Sequence, residues 1–505
     1  MLKEIHQHKR VWRFLLAVRR LQKRATLVPL GASDTHLVPI RVSCAQQSAE
    51  CKPEAGGVLI WREVVDLNGE PGVPSCHDTT IGGTMFTDMD LIVGVDVHRR
   101  TNVTQVIDGQ GQVIERPGRF ANNRTGTDQL AECLAQIAQS GGYRTIHIAA
   151  EATNNFWLPF FCQLSQSHQL STWPLELYPF NPRVIHNFKK ALGDLEKTDD
   201  RDAGVTAERL RFGKELPQPF QMDDLYLPLR SLTRYRYHLV GELVRVKSYC
   251  LSLVYLKATD YSTMDTRPFS KVFGATSQAV LREFATLDEI AEMPFEDLVE
   301  WLDVKGKRRF SNPEENARKL QRVATDAYQL PEEWATVIHD IISLNLRHLS
   351  LLENLIKRVE TAIAQQMDTI HQTIDTIPGI GPVFAAGIIA EIGDLARFDF
   401  NEAKVASYAG LKWPRSQSAD FEAEDTKLSR SGNRFLRYYF CEAAQVVRLH
   451  VPEYRLYYNR KFGEVRKHQH KRAVVLSARK LVRLVVRLLT TNEPYRLRKA
   501  TDSQS

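Results

Sequence analysis

The chain has 505 residues, too many for one hydrophobic core, so two to four domains are expected. Its 43% hydrophobic and 25% charged residues are ordinary for a globular protein. No stretch approaches the roughly 18 consecutive apolar residues of a membrane helix, so no membrane association is expected. The seven cysteines form no CxxC pair, which argues against a zinc site or a disulfide framework. This pattern is typical of the reducing cytoplasm, where we expect the protein to act.

Residues 1–88 differ in composition and in apolar pattern from the remainder of the chain. Their apolar periodicity is poor, and Gly, Pro, Ser and Cys are frequent. We expect this segment to be poorly structured. Met85 and Met89 precede the first clear strand, so translation is expected to start at one of them, with residues 1–84 being translated upstream sequence. A genuine accessory domain is the alternative.

Residues 89–221 show strand and helix patterns in succession. LIVGVDV (91–97) is an apolar strand, and two further strand patterns flank DGQG, which is a hairpin signal. A helical pattern ending in Gly-Gly and the strand TIHIAAEAT follow. Three strands, a helix and a fourth strand predict an α/β RNase H-like (RuvC-like) domain.

Residues 222–372 are predicted to be mainly α-helical. Apolar residues recur every seven positions along 222–260 and again along 342–370. Sustained heptads indicate a coiled coil within one chain or between two, and we expect a homo-oligomer to form through it. A buried helical bundle is the alternative. Residues 261–330 between the two patterns are interpreted as a small helical insertion.

Residues 373–492 are interpreted as a carboxy-terminal domain, followed by a tail at 493–505. TIPGIGPVFAAGIIAEIGD is typical of a helix-hairpin-helix, an element that holds the DNA backbone. Gly379 and Gly381 would let the hairpin backbone approach a phosphate in front of a helix N-terminus. A plain Gly-Pro turn is the alternative.

Positive charge is concentrated in this carboxy-terminal region. The net charge is +7, but Lys427 to Lys499 contains 19 Lys and Arg against four Glu, a net charge of +15. A basic block of this size predicts a polyanionic partner, and a solvated surface is the alternative. Within it, arginines alternate with aromatic residues, which indicates nucleic-acid binding unless the aromatics belong to the core. The arginines are Arg430, Arg434 and Arg437.

Four carboxylates are the candidate catalytic residues. Asp96 and Glu151 each end an apolar strand, and Asp199 and Asp202 lie three apart at a helix start, hence on one face. Converging carboxylates repel one another unless a cation lies among them, and hard oxygen ligands suit Mg²⁺ or Mn²⁺. Any one of them alone is more often a cap or a surface charge. Asp200 should point away from the other four, and it is an alternative to Asp199.

The motifs also occur in the order found in a known family. The chain from about residue 90 to 490 resembles the insertion-sequence transposase family numbered one hundred and ten, whose relatives include DNA invertases of the Piv type. The resemblance implies a RuvC-like domain with an Asp-Glu-Asp-Asp tetrad, a second domain with a nucleophilic serine, and a structured non-coding guide RNA. The motifs are VGVDVHRR, AAEAT, KTDDRDA, TIPGIGPVFAAGIIAEIGD, YAGLKWPRSQS and KLSRSGNRFLRYYFCEAA.

The resemblance places the serine in the polar loop AGLKWPRSQSADFEAEDTKLSRSGN. The family spacing best fits Ser418, with Ser416 second. This chain carries Ala-Asp-Phe-Glu where glycines usually follow the serine. A serine hydroxyl needs activation, and metal at the acid site could supply it if the two domains meet. From the residues alone, an ordinary turn serine is the alternative.

The sequence therefore predicts a metal-dependent transposase or recombinase that cleaves and rejoins DNA with Mg²⁺ or Mn²⁺ and a guide RNA. One alternative is a RuvC-like structure-specific endonuclease, which would use the tetrad without Ser418. The other is a decayed, non-catalytic nucleic-acid-binding protein.

Overall fold

The structure is a computed structural model. It describes residues 86–193, 198–214, 216–222, 225–263, 265–413, 417–418, 421–422, 428–429 and 431–497. Ser416, Arg430 and the expectation for residues 1–84 therefore lie outside the described residues. Phe86 lies within the segment 1–88 that the sequence sets apart; it is 4% exposed, and its ring packs against His147. Among the described residues, no helix combines the length and apolar character that crossing a membrane requires.

A mixed five-stranded sheet forms the amino-terminal part. Its strands are β1 (Asp90–Val97), β2 (Thr101–Asp108), β3 (Val113–Ala121), β4 (Thr145–Glu151) and β5 (Leu175–Phe180). The order across the sheet is β3-β2-β1-β4-β5. The first three strands pair antiparallel, and the predicted hairpin at DGQG joins β2 to β3. β4 and β5 are parallel to β1, so the carboxyl ends of β1 and β4 meet at one edge.

Helices cover both faces of the sheet. They are α1 (Arg124–Gly141), α2 (Trp157–Ser165), α3 (Pro182–Ala191) and α4 (Asp199–Arg211). On one face, α1 and α2 pack against alternate β1 residues such as Leu91, Val93 and Val95. The predicted Gly-Gly stop ends α1, where Gly142 adopts φ 69°. On the other face, α4 packs against β1 and β2.

The contact between α4 and β1 is unusually close at Gly94. A Cβ at Gly94 would lie 2.2 Å from the Ala203 carbonyl oxygen and 2.3 Å from the Ala207 nitrogen. Glycine at 94 and alanines at 203 and 207 therefore let the helix backbone lie directly on the strand. Because side chains alternate along a strand, Asp96 points to the same face as Gly94, toward α4.

Two long helices dominate the middle of the chain: α5 (Tyr226–Lys257) and, after the insertion, α10 (Glu332–Met367). They pack antiparallel, with ion pairs Arg236–Glu360 (2.7 Å) and Lys247–Glu353 (3.3 Å). The heptad residues of the second pattern are buried against α5 or the adjoining cores, so this pattern is used within one chain. These residues include Ile342, Leu349, Leu352, Ile356 and Ile363.

The insertion between them is helical, as predicted. It packs against the distal halves of α5 and α10 in one hydrophobic cluster. Its helices are α6 (Ala275–Glu283), α7 (Asp288–Ala291), α8 (Phe295–Lys305) and α9 (Pro313–Asp326).

The carboxy-terminal part is helical around a separate core. Its elements are α11 (Pro382–Ile392), α12 (Glu402–Tyr408), the short strands β6 (Gln417–Ser418) and β7 (Phe421–Glu422), α13 (Arg434–His450), α14 (Pro452–Gly463) and α15 (Gln469–Thr491). α11, α13 and α15 supply most of the core, together with the start of α5. The first third of α5 thus belongs to this core rather than to the insertion.

A buried carboxylate joins three of these helices. Glu391 of α11 is 1% exposed and accepts two hydrogen bonds from Arg234 of α5, at 2.7 and 2.9 Å. Its second oxygen also accepts from Asn433 Nδ2 at 2.6 Å, while Asn433 Oδ1 caps α13. The polar loop that carries Ser418 is thereby anchored at its carboxyl end to α5 and α11.

The contact at Gly94 generates a stability prediction. We expect Gly94→Ala to lower the free energy of unfolding by about 1–3 kcal/mol, because the added Cβ must push α4 off β1. Gly204→Ala is the matched control, since the nearest atom to its Cβ would be 4.0 Å away. This helical substitution should raise stability by about 0.5–1 kcal/mol. Urea unfolding measures both, and equal effects would contradict the close-contact assignment.

Candidate active site

Two of the four predicted acids lie at the carboxyl ends of neighbouring strands. β1 and β4 are adjacent and parallel, with Val95 opposite Ala150. Asp96 and Glu151, the next residues on each strand, are therefore side by side at the carboxyl ends. Both side chains are only partly exposed.

The other two acids come from the first turn of α4. Thr198 caps this helix by accepting a hydrogen bond from the Arg201 nitrogen at 3.3 Å. Asp199 and Asp202 lie one turn apart, and the close packing of α4 on β1 brings them to Asp96. Asp202 lines one cavity of about 530 Å³ together with Asp96 and Glu151.

His98 connects Asp199 to this group. Its Nε2 lies 3.1 Å from Asp96 Oδ2 and 3.5 Å from Asp199 Oδ1. One ligand atom of each of the three residues lies within 4.8 Å of the others. Sequence reasoning assigned His98 no role. The signal was present in VGVDVH, because residues two apart on extended backbone point to the same side.

The pKa of the Asp96 carboxyl reflects the proximity of the other three acids. Burial is the largest cause that raises the pKa of its carboxyl. His98 opposes this shift, while the charges of Asp202, Asp199 and Glu151 raise the pKa further. Each acid makes ionisation of Asp96 harder, so the cluster favours a cation among its oxygens.

Lysines of α3 form the opposite wall of the cavity. The Lys189 ammonium is ion-paired with Asp202 Oδ1, and Lys190 and His186 also line the space. On the acid side, the Thr153 hydroxyl donates a hydrogen bond to Glu151 Oε1. Sequence reasoning missed these residues. Only the amphipathic spacing of PRVIHNFKKA pointed to a helix with one polar face.

Asp200 faces elsewhere, as expected. Its Oδ1 lies 2.7 Å from an Arg119 guanidinium nitrogen, and Asp200 lines a different cavity. The same guanidinium reaches Asp199 Oδ2 at 3.5 Å. Asp199 is therefore shared between His98 and Arg119, while the ion pair described for Asp200 is to Arg119.

The donor set fits a divalent ion such as Mg²⁺ or Mn²⁺. Carboxylate oxygens are the ligands these hard cations prefer, and the acids are gathered at a partly buried position where their mutual repulsion needs compensation. Asp96, Glu151, Asp199 and Asp202 are the residues that could hold it.

The side chain of Ser418 is not among those that the structure describes, so its place relative to this cavity stays a prediction. The described residues that line the cavity fall between 96 and 206. Ser418 lies in β6, opposite Phe421 of β7, in the carboxy-terminal part. Asn433 and the Ser429 backbone anchor the return of this loop, since the Ser429 nitrogen donates to the Lys412 carbonyl at 2.9 Å.

The two hairpin glycines differ in their surroundings. Gly379 adopts φ 96°, and a Cβ there would lie 2.9 Å from His450 Cδ2, so its close approach is to α13. Gly381 is exposed at the start of α11, and a Cβ there would meet no atom within 4 Å. The helix N-terminus at Gly381 therefore remains open to a ligand.

Some of the predicted arginine and aromatic side chains pack inside the carboxy-terminal part, and others are exposed. Arg434 is exposed and lies over the Phe435 ring, 4.8 Å from its centroid. Arg437 is half-buried, with its Nη1 enclosed near Gly410. Tyr439 is fully buried and donates to the Thr233 carbonyl at 2.8 Å. Tyr439 thus belongs to the core, the alternative that the sequence left open.

Several cations of the basic block are neutralised by glutamates. Arg483 and Arg479 reach Glu402, at 2.8 and 3.9 Å. Further pairs are Lys480–Glu453, Lys461–Glu464 and Arg472–Glu464. In contrast, Arg466, Lys467 and Lys471 are exposed at the start of α15, and no ion pair to them is found in the described part of the chain. This exposed basic cluster is one place where the block can meet a polyanion.

Comparisons with known proteins agree with these features. Residues 93–256 match a transposase family model of the DEDD type from IS110 elements, and residues 371–459 match one described as the transposase IS116/IS110/IS902 family. The two matched segments contain all four acids, both hairpin glycines and Ser418.

Individual relatives cover long parts of the chain. An uncharacterised protein of insertion element IS116 from Streptomyces clavuligerus is 27% identical over 56% of this chain and 69% of its own length. A mini-circle putative transposase for IS117 from Streptomyces coelicolor is 26% identical over 64% and 76%. The pilin gene-inverting protein of Moraxella bovis is 31% identical over 28% of this chain and 42% of its own length.

The raised pKa of Asp96 makes a prediction about stability and pH. Because the folded pKa exceeds the ordinary value of 3.8, ionisation of Asp96 costs folding free energy, and this cost grows as pH rises through the interval between the two values. In EDTA at neutral pH, Asp96→Asn should therefore be more stable than the parent.

Urea unfolding in EDTA checks this, and the advantage should shrink at the lowest pH where the chain stays folded. Asp200→Asn is the matched control, since it removes an acid outside the cluster and should give no gain. A less stable Asp96→Asn variant at neutral pH would contradict the assigned repulsion.

Proposed function

The chain belongs to the IS110/IS116 family of insertion-sequence transposases, and on that premise we propose that it cleaves and rejoins DNA strands. The observation that carries the proposal is the convergence of Asp96, Glu151, Asp199 and Asp202 from two strands and a helix. Such a cluster is poorly explained by stability, because burial first and the neighbouring acids next raise the pKa of its member Asp96.

The sheet supports an RNase H-like assignment for the amino-terminal part. Its antiparallel β1–β2–β3 hairpins, followed by parallel β4 and β5, put β1 at the centre. The acids stand where β1 and β4 end, the position at which open sheets with parallel strands bind their ligands. The strand order and the acid positions thus favour the same function.

Within this site, the chain supplies the metal ligands and an environment for phosphate. The four carboxylates would hold Mg²⁺ or Mn²⁺, which when bound stabilises negative charge at a scissile phosphate. His98 and Arg119 orient Asp199 by contacts at 3.5 Å from both sides. Lys190 and His186, on the opposite wall, offer positive charge to a DNA backbone entering the cavity.

We assign the rejoining chemistry to Ser418. Its Oγ forms a bond to phosphorus as the bond from phosphorus to a deoxyribose oxygen breaks. The serine gives up its proton, and the departing oxygen takes one up. The phosphoserine ester retains the energy of the broken phosphodiester, so the reverse attack rejoins a strand without an outside energy source. The relative named for inverting a pilin gene supports this, since inversion needs both cutting and rejoining.

Activation of Ser418 by the acid site requires that the two meet. The described residues that line the cavity belong to the amino-terminal part, and the proposal has the serine reach them by movement of its own domain or from a second copy. A second copy is supported by exposed apolar residues along α10 at seven-residue spacing: Val337, Leu344 and Leu351. Such a stripe fits a helix of another protomer.

A guide RNA is the further partner implied by the family resemblance. The exposed basic cluster of Arg466, Lys467 and Lys471 and the open α11 N-terminus at Gly381 support nucleic-acid binding in the carboxy-terminal part. Neither feature distinguishes RNA from DNA, because both contact phosphates.

A second candidate is a RuvC-like endonuclease that hydrolyses DNA without a covalent step. The four acids that it needs converge from elements of the amino-terminal part alone, which favours it. The two mechanisms share the same carboxylates and differ only in whether the serine oxygen attacks phosphorus.

The covalent step generates the next prediction. With DNA bearing the element ends and Mg²⁺, denatured reactions of the parent should contain a protein–DNA adduct on a gel. Ser418→Ala should lose the adduct but still bind DNA, since one hydroxyl adds little to a phosphate-dominated interface. Asp96→Asn should lose both adduct and cleavage.

Ser416→Ala is the matched control and should keep the adduct. Loss of the adduct in Ser416→Ala alone would show that the loop assignment is displaced by two residues. Cleavage without any adduct, unchanged in both serine variants, would favour the endonuclease.

The exposed basic cluster generates a prediction about salt. Deleting the basic block would destroy the core that α13 and α15 build, so substitutions are the proper test. Replacing Arg466, Lys467 and Lys471 with Gln should lower the slope of log affinity against log salt by up to about 2.7, or about 0.9 per lost phosphate contact.

The control replaces three cations of the insertion with Gln: Arg282, Lys319 and Arg322. Affinity for a DNA duplex and for an RNA of equal length is measured by fluorescence anisotropy. An equal loss in both triple variants would mean that net charge, rather than this cluster, governs binding.

A further inference from the structure

The ion pair between Lys189 and Asp202 crosses the cavity from one wall to the other. Lys189 lies in the last turn of α3, and Asp202 lies in the first turn of α4. Their side chains are 22% and 28% exposed, so both are partly withdrawn from water. The pair therefore joins two helices at the acid cluster.

The ammonium supplies part of the positive charge that the acids require. Asp202 is one of the charges that raise the pKa of Asp96, and Lys189 is the cation in contact with it. A divalent ion held by these acids would need the same carboxylate. A divalent ion on this carboxylate would withdraw electron density from its oxygens and repel the nearby ammonium, so metal binding and the Lys189 contact oppose each other.

We propose that Lys189 is an internal cation that occupies Asp202 until a divalent ion replaces it. This inference rests on the proposed metal site. Metal binding then includes the breaking of the Lys189–Asp202 pair, which lowers the affinity for free metal. The displaced ammonium stays tethered to α3, beside Lys190 and His186, where a DNA phosphate can take it up.

Coupling between metal and DNA follows from this exchange. A phosphate that holds Lys189 frees Asp202 for metal, and metal on Asp202 frees Lys189 for phosphate. Each ligand therefore raises the affinity for the other by the same factor. The exchange keeps the metal occupancy of the site low until DNA is present. A chain without Lys189 would lack this contribution to the coupling between metal and DNA binding.

Manganese binding to the full chain tests the proposal without any reaction. Mn²⁺ is added stepwise to EDTA-stripped protein without DNA, and the concentration of free Mn²⁺ is measured by electron paramagnetic resonance. Lys189→Met should bind Mn²⁺ about tenfold more tightly, because removing a partly buried competing charge is worth about 1.4 kcal/mol. Lys189→Arg, which keeps the charge, should bind like the parent.

Lys190→Met is the matched control. It removes a neighbouring cation of the same helix and cavity wall, and among the described residues it has no ion pair with an acid of the cluster. Its Mn²⁺ affinity should rise much less than that of Lys189→Met. Without metal, Lys189→Met should also melt at a lower temperature than Lys190→Met, because Asp202 loses its counter-ion.

Failure of this inference and of the proposed function are distinguishable. Suppose that the parent binds Mn²⁺ and that Asp202→Asn weakens this binding. If Lys189→Met then leaves the affinity unchanged or lowers it, the competition is overturned and the metal site is kept. Absence of Mn²⁺ binding by the parent overturns both. An equal gain in Mn²⁺ affinity in Lys189→Met and Lys190→Met would mean that the net charge of the cavity governs the affinity. That result would overturn the specific role of Lys189.

Discussion

Direct backbone contact between α4 and β1 at Gly94 is the constraint on which the acid site depends. A side chain at Gly94 would collide with the Ala203 carbonyl and the Ala207 nitrogen, so the helix rests on the strand itself. Asp96 lies two residues beyond Gly94, and Asp202 directly precedes Ala203. The same contact that packs the domain therefore fixes the distance between acids from separate segments. A looser helix would keep the fold and disperse the cluster.

That packing forces like charges together, and the surrounding residues compensate in part. His98 and Arg119 contact Asp199, while Lys189 contacts Asp202. The compensation is incomplete at Asp96, whose pKa stays raised. The remaining excess of negative charge suits the proposed function, which would use a divalent cation and a phosphate in one place.

The carboxy-terminal part is organised by a different rule. Its core is apolar, but its helices are positioned by Glu391, a buried carboxylate shared between Arg234 and Asn433. Because Asn433 also caps α13, this network determines where the Ser418 loop ends. Many cations of the basic block are held by glutamates, so its surface charge is concentrated in fewer places than its composition suggests.

The sequence by itself determined the strands, the hairpin, the helical character of the remainder and the family, because these follow from apolar periodicity, turn residues and motif order. It also singled out Asp96, Glu151, Asp199 and Asp202, since acids at strand and helix ends stand out locally. Only the tertiary structure decided which groups face them. Lys189 and Arg119 reach the acids through α3 packing and the β2–β3 hairpin, and such contacts leave no periodic signal. Similarly, Tyr439 became core because α5 covers that side of α13, a contact between segments some 200 residues apart, while Arg437 is half-buried with its Nη1 near Gly410.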